Sequence, residues 1–126
     1  MAGRVCLDDF RRNVRVENVT RGVSLGDSVG IADTSSKRRT GLLKHSSLPA
    51  GHGLWIVPCE AIHTFGMKFP IDVAFLTKKR KVLKMRKEMP RRRFAICIRA
   101  HSVLELPAGV LGSTGTQTGD QLEFER

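Results

Sequence analysis

Four side chains of complementary chemistry fall within a ten-residue stretch: His63, Thr64, Lys68 and Asp72. An imidazole, a hydroxyl, an ammonium and a carboxylate set so close together can bind a small polar ligand or move a proton. Pro58 and Pro70 frame the stretch and predict an irregular loop, the kind of segment that holds binding groups on a rigid scaffold. Arg38 supplies a cation from further up the chain. Glu105 interrupts the apolar run Val103-Leu104-Glu105-Leu106, where strand alternation sets it on one face with Val103. The ligand-binding set read from these residues is Arg38, His63, Thr64, Lys68, Asp72 and Glu105. The alternative for Asp72 is structural: a carboxylate entering an apolar strand needs a partner, either Arg38 or backbone N–H groups. For Glu105 the alternative is a solvent-facing group or the partner of a buried Arg. Hydrolysis using His63 with Asp72 or Glu105 is a third reading, but a carboxylate separation is not legible in a sequence.

Cys59 precedes His63 by four residues, close enough for a Cys-His nucleophile. No feature nearby lowers a thiol pKa, and cysteine is among the most buried residue types, so a wall or core thiol is the expectation. His45, His52, His63 and His101 are scattered, and three cysteines at wide spacing fit neither a zinc site nor a disulfide framework. No metal and no cofactor are expected. Gly112-Ser113-Thr114-Gly115-Thr116 has a phosphate loop's composition without its lysine, and reads as a turn.

The charge is the most visible feature. Lys78, Lys79, Arg80, Lys81, Lys84, Arg86, Lys87, Arg91, Arg92 and Arg93 crowd into residues 78–93 with Glu88 as the only acid, in a chain of net charge +10. Such density attracts phosphate backbones without any sequence readout. The polyanion-binding set is Lys78, Lys79, Arg80, Lys81, Arg91, Arg92 and Arg93. Aromatic residues are few and only Phe94 adjoins the run, which leaves base stacking poorly supplied. The bland alternative is a solvated loop surface.

The elements that must carry these groups are mostly strands. Val14, Val16 and Val19 predict one strand and Val29-Gly30-Ile31-Ala32 another. Asp33 to Ser36 offer N-caps for a helix running through Lys37 to Lys44, with Gly41 inside it as a position of close packing. The loop Ser46 to Gly53 ends the helix. Strands are then expected at Gly53 to Val57, Ile71 to Leu76, Val82 to Met85, Phe94 to Ile98, Ser102 to Leu106 and Gln121 to Phe124, with Thr77 to Lys81 as a polar hairpin connection. Pro107 to Leu111 can open one helical turn. Many short strands with turns between them predict a mainly β chain, a compact barrel or sandwich carrying one α-helix.

At 126 residues the chain is one domain's length, and its 40% hydrophobic content lies outside the disordered range. Residues 1–12 show no sustained period and read as a loose N-terminal tail; residues 13–126 read as a single β domain. No apolar stretch approaches the ~20 residues of a membrane helix, and the acidic start is no signal peptide. Pro90 also breaks any amphipathic basic helix, so no membrane partner is expected. A reducing, cytoplasmic address follows from the cysteine usage.

Three segments carry a resemblance. Ala32-Asp33-Thr34 through Arg38 and Gly41-Leu42, then Ile62-His63-Thr64-Phe65-Gly66-Met67-Lys68-Phe69-Pro70-Ile71-Asp72-Val73, then Val103-Leu104-Glu105-Leu106-Pro107-Ala108-Gly109 with Gly119-Asp120, occur in the order typical of one family. The chain is similar over roughly residues 28 to 125 to domain-of-unknown-function family 192, a prokaryotic group. The resemblance implies a small, jelly-roll-like β domain with a helix packed on the sheet, and it brings no activity, cofactor or substrate. Many relatives carry Met-Lys-Asn-Thr before the Pro and Asp, where this chain has the shorter Met67-Lys68-Phe69-Pro70. The combined expectation is a non-enzymatic domain with a polar pocket for a small ligand around the His63–Asp72 loop, or alternatively a polyanion-binding surface.

Overall fold

The computed structural model describes residues 13–43 and 45–126; the expected tail over 1–12, and Lys44, lie outside the described residues. Among the described residues, nine strands and two short helices follow in the order β1 (Asn13–Asn18), β2 (Val23–Ala32), α1 (Ser35–Thr40), β3 (His52–Ile56), β4 (Ala61–His63), β5 (Ile71–Leu76), β6 (Val82–Met89), β7 (Phe94–Ile96), β8 (Ser102–Pro107), α2 (Val110–Ser113) and β9 (Leu122–Glu125). The mainly β class expected from the sequence is what the chain adopts.

Seven strands form one sheet in the order β6-β5-β8-β3-β2-β1-β9, and β4 pairs with β7 in a small ribbon. The sheet curls until its two edge strands meet at one end. There Lys81 bridges Gln121, Val82 N–H donates to the Asp120 carbonyl at 2.9 Å, and Leu122 N–H donates to the Arg80 carbonyl at 3.0 Å. The result is a half-barrel. One apolar cluster draws on all seven strands and fills the curl, including Val16, Val29, Trp55, Leu76, Val82, Leu104 and Leu122, with Leu111 of α2 added. A second cluster lies on the other face of the central strands. Leu54, Ile56, Val73, Phe75 and Val103 are covered there by Leu42, Leu48, Ile62, Met67 and Ala95. This two-sided burial explains why β5 reads as a continuous apolar run broken only by Asp72. Each fully buried side chain of this kind contributes roughly 1.5–3 kcal/mol.

Only one pair in the large sheet is parallel, β2 with β3. Parallel neighbours cannot be joined by a tight turn and need a crossover, and the 33–51 connection with α1 supplies it. Close approach of β3 to β8 demands a glycine: a Cβ on Gly53 would sit 2.8 Å from the Glu105 carbonyl oxygen.

Several local expectations are corrected. The helix is shorter than the pattern suggests: the Thr34 hydroxyl accepts from Lys37 N–H, and the helix stops at Gly41, whose φ of 51° ends it. Gly41 therefore caps the helix and is not a close-packing site inside it; a Cβ there would find nothing nearer than the Arg38 carbonyl at 4.0 Å. A second helical turn forms only after Gly109, beyond the expected Pro107 start. The segment between Pro58 and Pro70 is not wholly irregular, because Ile62 and Ala95 bury opposite each other and pair β4 with β7. The β5–β6 connection lacks glycine and uses Arg80 at φ 67°, its guanidinium 5.1 Å from the ring centres of both Trp55 and Phe124.

Candidate functional site

The crossover that carries α1 over the sheet leaves a cavity of about 310 Å3 beneath its C-terminal end. Arg38 to Leu43 form one wall, Ile56, Pro58 and Cys59 a second, and Ala61 to His63 with Met67 a third. Glu105 belongs to the same cavity and comes from the middle of the sheet.

Glu105 is the unusual group. Its neighbours across the sheet are Leu54 on β3 and Val73 on β5, both wholly buried and apolar. The residue itself is 5% exposed, and among the described residues no donor reaches its carboxyl group. A carboxylate taken out of water without compensation is costly, so burial pushes its pKa up to about 8. At neutral pH it is mainly a protonated acid, able both to donate and to accept a hydrogen bond.

Arg38 stands at the helix end of the cavity, half-buried. Its guanidinium donates to the Asp33 carbonyl at 3.0 Å and at a long 3.5 Å to the Ser35 hydroxyl. Both acceptors are neutral, so its charge is not cancelled by either. His63 is exposed at the mouth, its ring 5.8 Å from that of Phe65. Cys59 is a half-buried wall thiol that donates to the Ala61 carbonyl at 3.1 Å. Burial pushes that thiol's pKa up, and the Glu105 carboxyl adds to this while Arg38 opposes it. Such a thiol stays protonated, which suits the wall role better than a nucleophile's.

Of the six ligand-binding residues read from the sequence, the fold brings together Arg38, His63 and Glu105. It sets the other three elsewhere. Thr64 is wholly buried and clamps the 90–93 segment: its hydroxyl donates to the Pro90 carbonyl at 2.6 Å and accepts from Arg93 N–H at 2.8 Å. Lys68 is exposed and outside the cavity wall. Asp72 points to the opposite face of β5, where it accepts Glu88 N–H at 2.7 Å and Leu111 N–H at 2.8 Å. It thereby ties β6, where Glu88 has φ 48°, to the start of α2. Asp72 is thus the backbone-fixing carboxylate that its alternative reading described.

The basic segment divides in two. Lys78, Lys79, Arg80 and Lys81 occupy the β5–β6 turn, and Arg91, Arg92 and Arg93 follow β6 at its far end, about 25 Å away for an eight-residue strand. Beside the second group, His63 pairs across the ribbon with Phe94, and Phe65 and Phe94 are 53% and 57% exposed.

One polar cluster left no signal beyond its closing Gly119-Asp120. Asp120, almost fully buried, accepts from Asn18 at 2.9 Å, from the Arg21 guanidinium at 2.9 Å and from Gln117 N–H at 2.9 Å. The Arg21 bond above all holds its carboxyl well below the usual range, at about 2. Sequence reasoning also missed Arg39 and Met67 as cavity residues, because their placement depends on the parallel crossover. Among the described residues no three His, Cys, Asp or Glu side chains converge as a metal would require, and no helix is long and apolar enough to cross a membrane.

A curled, mainly β half-barrel with a crossover helix roofing an acid-floored cavity is therefore the class of molecule at hand. The chain belongs to domain-of-unknown-function family 192, described as Uncharacterized ACR, whose model matches residues 16–124. It is 32% identical over 113 residues to a UPF0127 protein of Thermococcus sibiricus, covering 86% of this chain and 73% of that one. A UPF0127 protein of Pyrococcus furiosus is 29% identical over 114 residues, covering 86% and 97%. Two crystal structures share the fold. One is a Sinorhizobium meliloti protein named as a candidate transcription regulator, with TM-score 0.78, 22% identity, and coverage of 89% of this chain and 92% of that one. The other is a Novosphingobium aromaticivorans protein of unknown function, with TM-score 0.76, 21% identity, and coverage of 88% and 83%.

Proposed function

We propose that this domain is a non-enzymatic small-molecule receptor whose ligand enters the cavity beneath α1 and is anchored by Glu105, with Arg38 and His63 at the opening. The observation that carries this reading is Glu105 itself, a buried carboxyl group facing a cavity with no partner among the described residues. Folded chains bury such groups paired, and an unpaired one weakens the fold unless a ligand completes it. The cavity volume of about 310 Å3 falls at the small end of the range for ligand sites. Apolar Leu43, Ile62 and Met67 would pack against the ligand's carbon skeleton, as such sites commonly combine apolar walls with few polar anchors. The free thiols Cys59 and Cys97 support a reducing, cytoplasmic address. A thermal-unfolding screen of small metabolites tests the reading. Compounds that raise the melting temperature of the parent should lose that effect when Ala61→Trp fills the cavity, and retention of the effect by a folded variant refutes the site.

A second reading, polyanion binding, gains support from the exposed ring faces of Phe65 and Phe94 beside Arg91, Arg92 and Arg93. These supply a stacking surface that the low aromatic content of the sequence did not promise. Fluorescence anisotropy with labelled single-stranded DNA and RNA at two salt concentrations tests it. Salt-sensitive binding lost in the Arg91, Arg92 and Arg93 triple substitution sustains this reading, and no binding at low salt removes it.

A further inference from the structure

We infer that the ligand class of the cavity is a compact zwitterion, an α-amino acid with a short aliphatic side chain, its ammonium on Glu105 and its carboxylate on Arg38. This rests on the small-ligand reading above and deepens it. The two polar anchors, a fixed cation and an acid that can give up its proton, come from different elements, Arg38 from the helix end and Glu105 from the sheet. Neither is spent on the other: Glu105 lacks a donor, and the Arg38 guanidinium bonds only neutral oxygens among the described residues.

An ion of one sign would satisfy only half of this arrangement. A simple amine would leave the Arg38 charge at the opening unmatched. A simple anion would meet Arg38 and accept at most one hydrogen bond from the protonated acid below, leaving that acid's other oxygen without a donor. A neutral polyol meets apolar walls at Leu43, Ile62 and Met67 that it cannot hydrogen-bond. A zwitterion with an aliphatic part answers all three surfaces at once. A cavity of about 310 Å3 holds one such molecule and excludes a long peptide.

A thermodynamic signature follows. Glu105 is protonated before binding, because burial has pushed its pKa to about 8. An ammonium group beside it favours the carboxylate, so the acid gives its proton to the buffer as the ligand enters. The ligand's own ammonium keeps its three protons, and the complex holds one proton fewer than its separated parts.

Three probes that share a side chain separate the contributions: valine, valinamide, which lacks the carboxylate, and N-acetylvaline, which lacks the ammonium. Isothermal titration calorimetry of the full chain at pH 7, in two buffers of different ionisation enthalpy, reads affinity and proton release together. The expected result is binding of valine with close to one proton released per molecule. Valinamide should bind at least tenfold more weakly, and N-acetylvaline should not bind. In Glu105→Gln the proton release disappears and valine affinity falls at least tenfold. In Arg38→Gln valine and valinamide become equivalent. Alkylation of Cys59, mapped by mass spectrometry, reports occupancy of the cavity independently of heat. Protection of Cys59 by N-acetylvaline but not by valine, or equal affinity for valine and valinamide in the parent, overturns the zwitterion class and leaves the cavity as a ligand site. Valine binding that neither protects Cys59 nor responds to Glu105→Gln overturns the placement. Absence of binding by all three probes overturns the amino-acid class; if the metabolite screen also yields nothing that Ala61→Trp abolishes, the receptor reading falls with it.

Discussion

Replacing Glu105 by glutamine should stabilise the protein, and by an amount that grows with pH. In the folded chain the carboxyl group titrates at about 8, whereas the unfolded chain exposes it at its ordinary value of 4.5. Between those values the folded state holds a proton that the unfolded state has released, so stability falls as pH rises. The slope is about 1.4 kcal/mol per pH unit, and the loss accumulates to roughly 5 kcal/mol at the upper limit, a sum that solvent penetration and relaxation would reduce. Below pH 4.5 both states are protonated and the contribution vanishes. Glutamine keeps the shape and the hydrogen-bonding capacity of the neutral acid but cannot ionise. Urea denaturation of parent and Glu105→Gln at half-unit steps from pH 4.5 to 8.5 should therefore give curves that start close together and diverge, the variant gaining about 1–3 kcal/mol by pH 7. The difference between the two cancels the titration of every other group. A difference that stays flat across this range would refute the reasoning, since it would mean that Glu105 is ionised or solvated in the folded chain.

Three other substitutions probe the groups that hold the scaffold. Asp72→Asn keeps one acceptor but turns an amide N–H toward a backbone N–H, and should cost about 1–3 kcal/mol in urea denaturation while leaving cavity binding unchanged. Thr64→Val removes the clamp on the 90–93 segment; a loss of roughly 1–2 kcal/mol is expected, with faster hydrogen exchange at Arg93 N–H as the specific sign. Asp120→Asn should lower thermal stability near neutral pH. Because the folded pKa of about 2 lies below the ordinary 3.8, the parent's advantage should shrink as pH falls from about 4 toward 2, and a gap that persists at pH 2 would contradict the Arg21 pairing.

Much of this architecture is legible in the residues. The alternation of Val14 and Val16 with charged neighbours places β1, and the polar Thr77 to Lys81 connection between two apolar runs announces the β5–β6 hairpin. Alternation in Val103-Leu104-Glu105-Leu106 sets Glu105 on one face with Val103, and that sharing of a face is what the sheet shows. The remainder depends on contacts distant in sequence. Arg38 and Glu105 are far apart in the chain and come to line one cavity only because β2 and β3 are parallel, a pairing that no local pattern encodes. Asp72 looked like a neighbour of His63 along the chain, but β-strand alternation turned it to the other face, where Leu111 and Glu88 claim it. Lys37 to Lys44 suits a longer helix by composition, but Gly41 adopts a positive φ and ends α1.

Nitrogen-15 NMR of the labelled parent, titrated with the compounds that stabilise it, tests most directly whether the cavity under α1 is a binding site organised by Glu105. Shift changes concentrated at Arg38, Gly41, Cys59, His63 and Glu105, and lost in Ala61→Trp, are the predicted result. Changes confined to Arg91, Arg92, Arg93 and Phe94, with the cavity residues silent, would contradict it and move the function to the basic face.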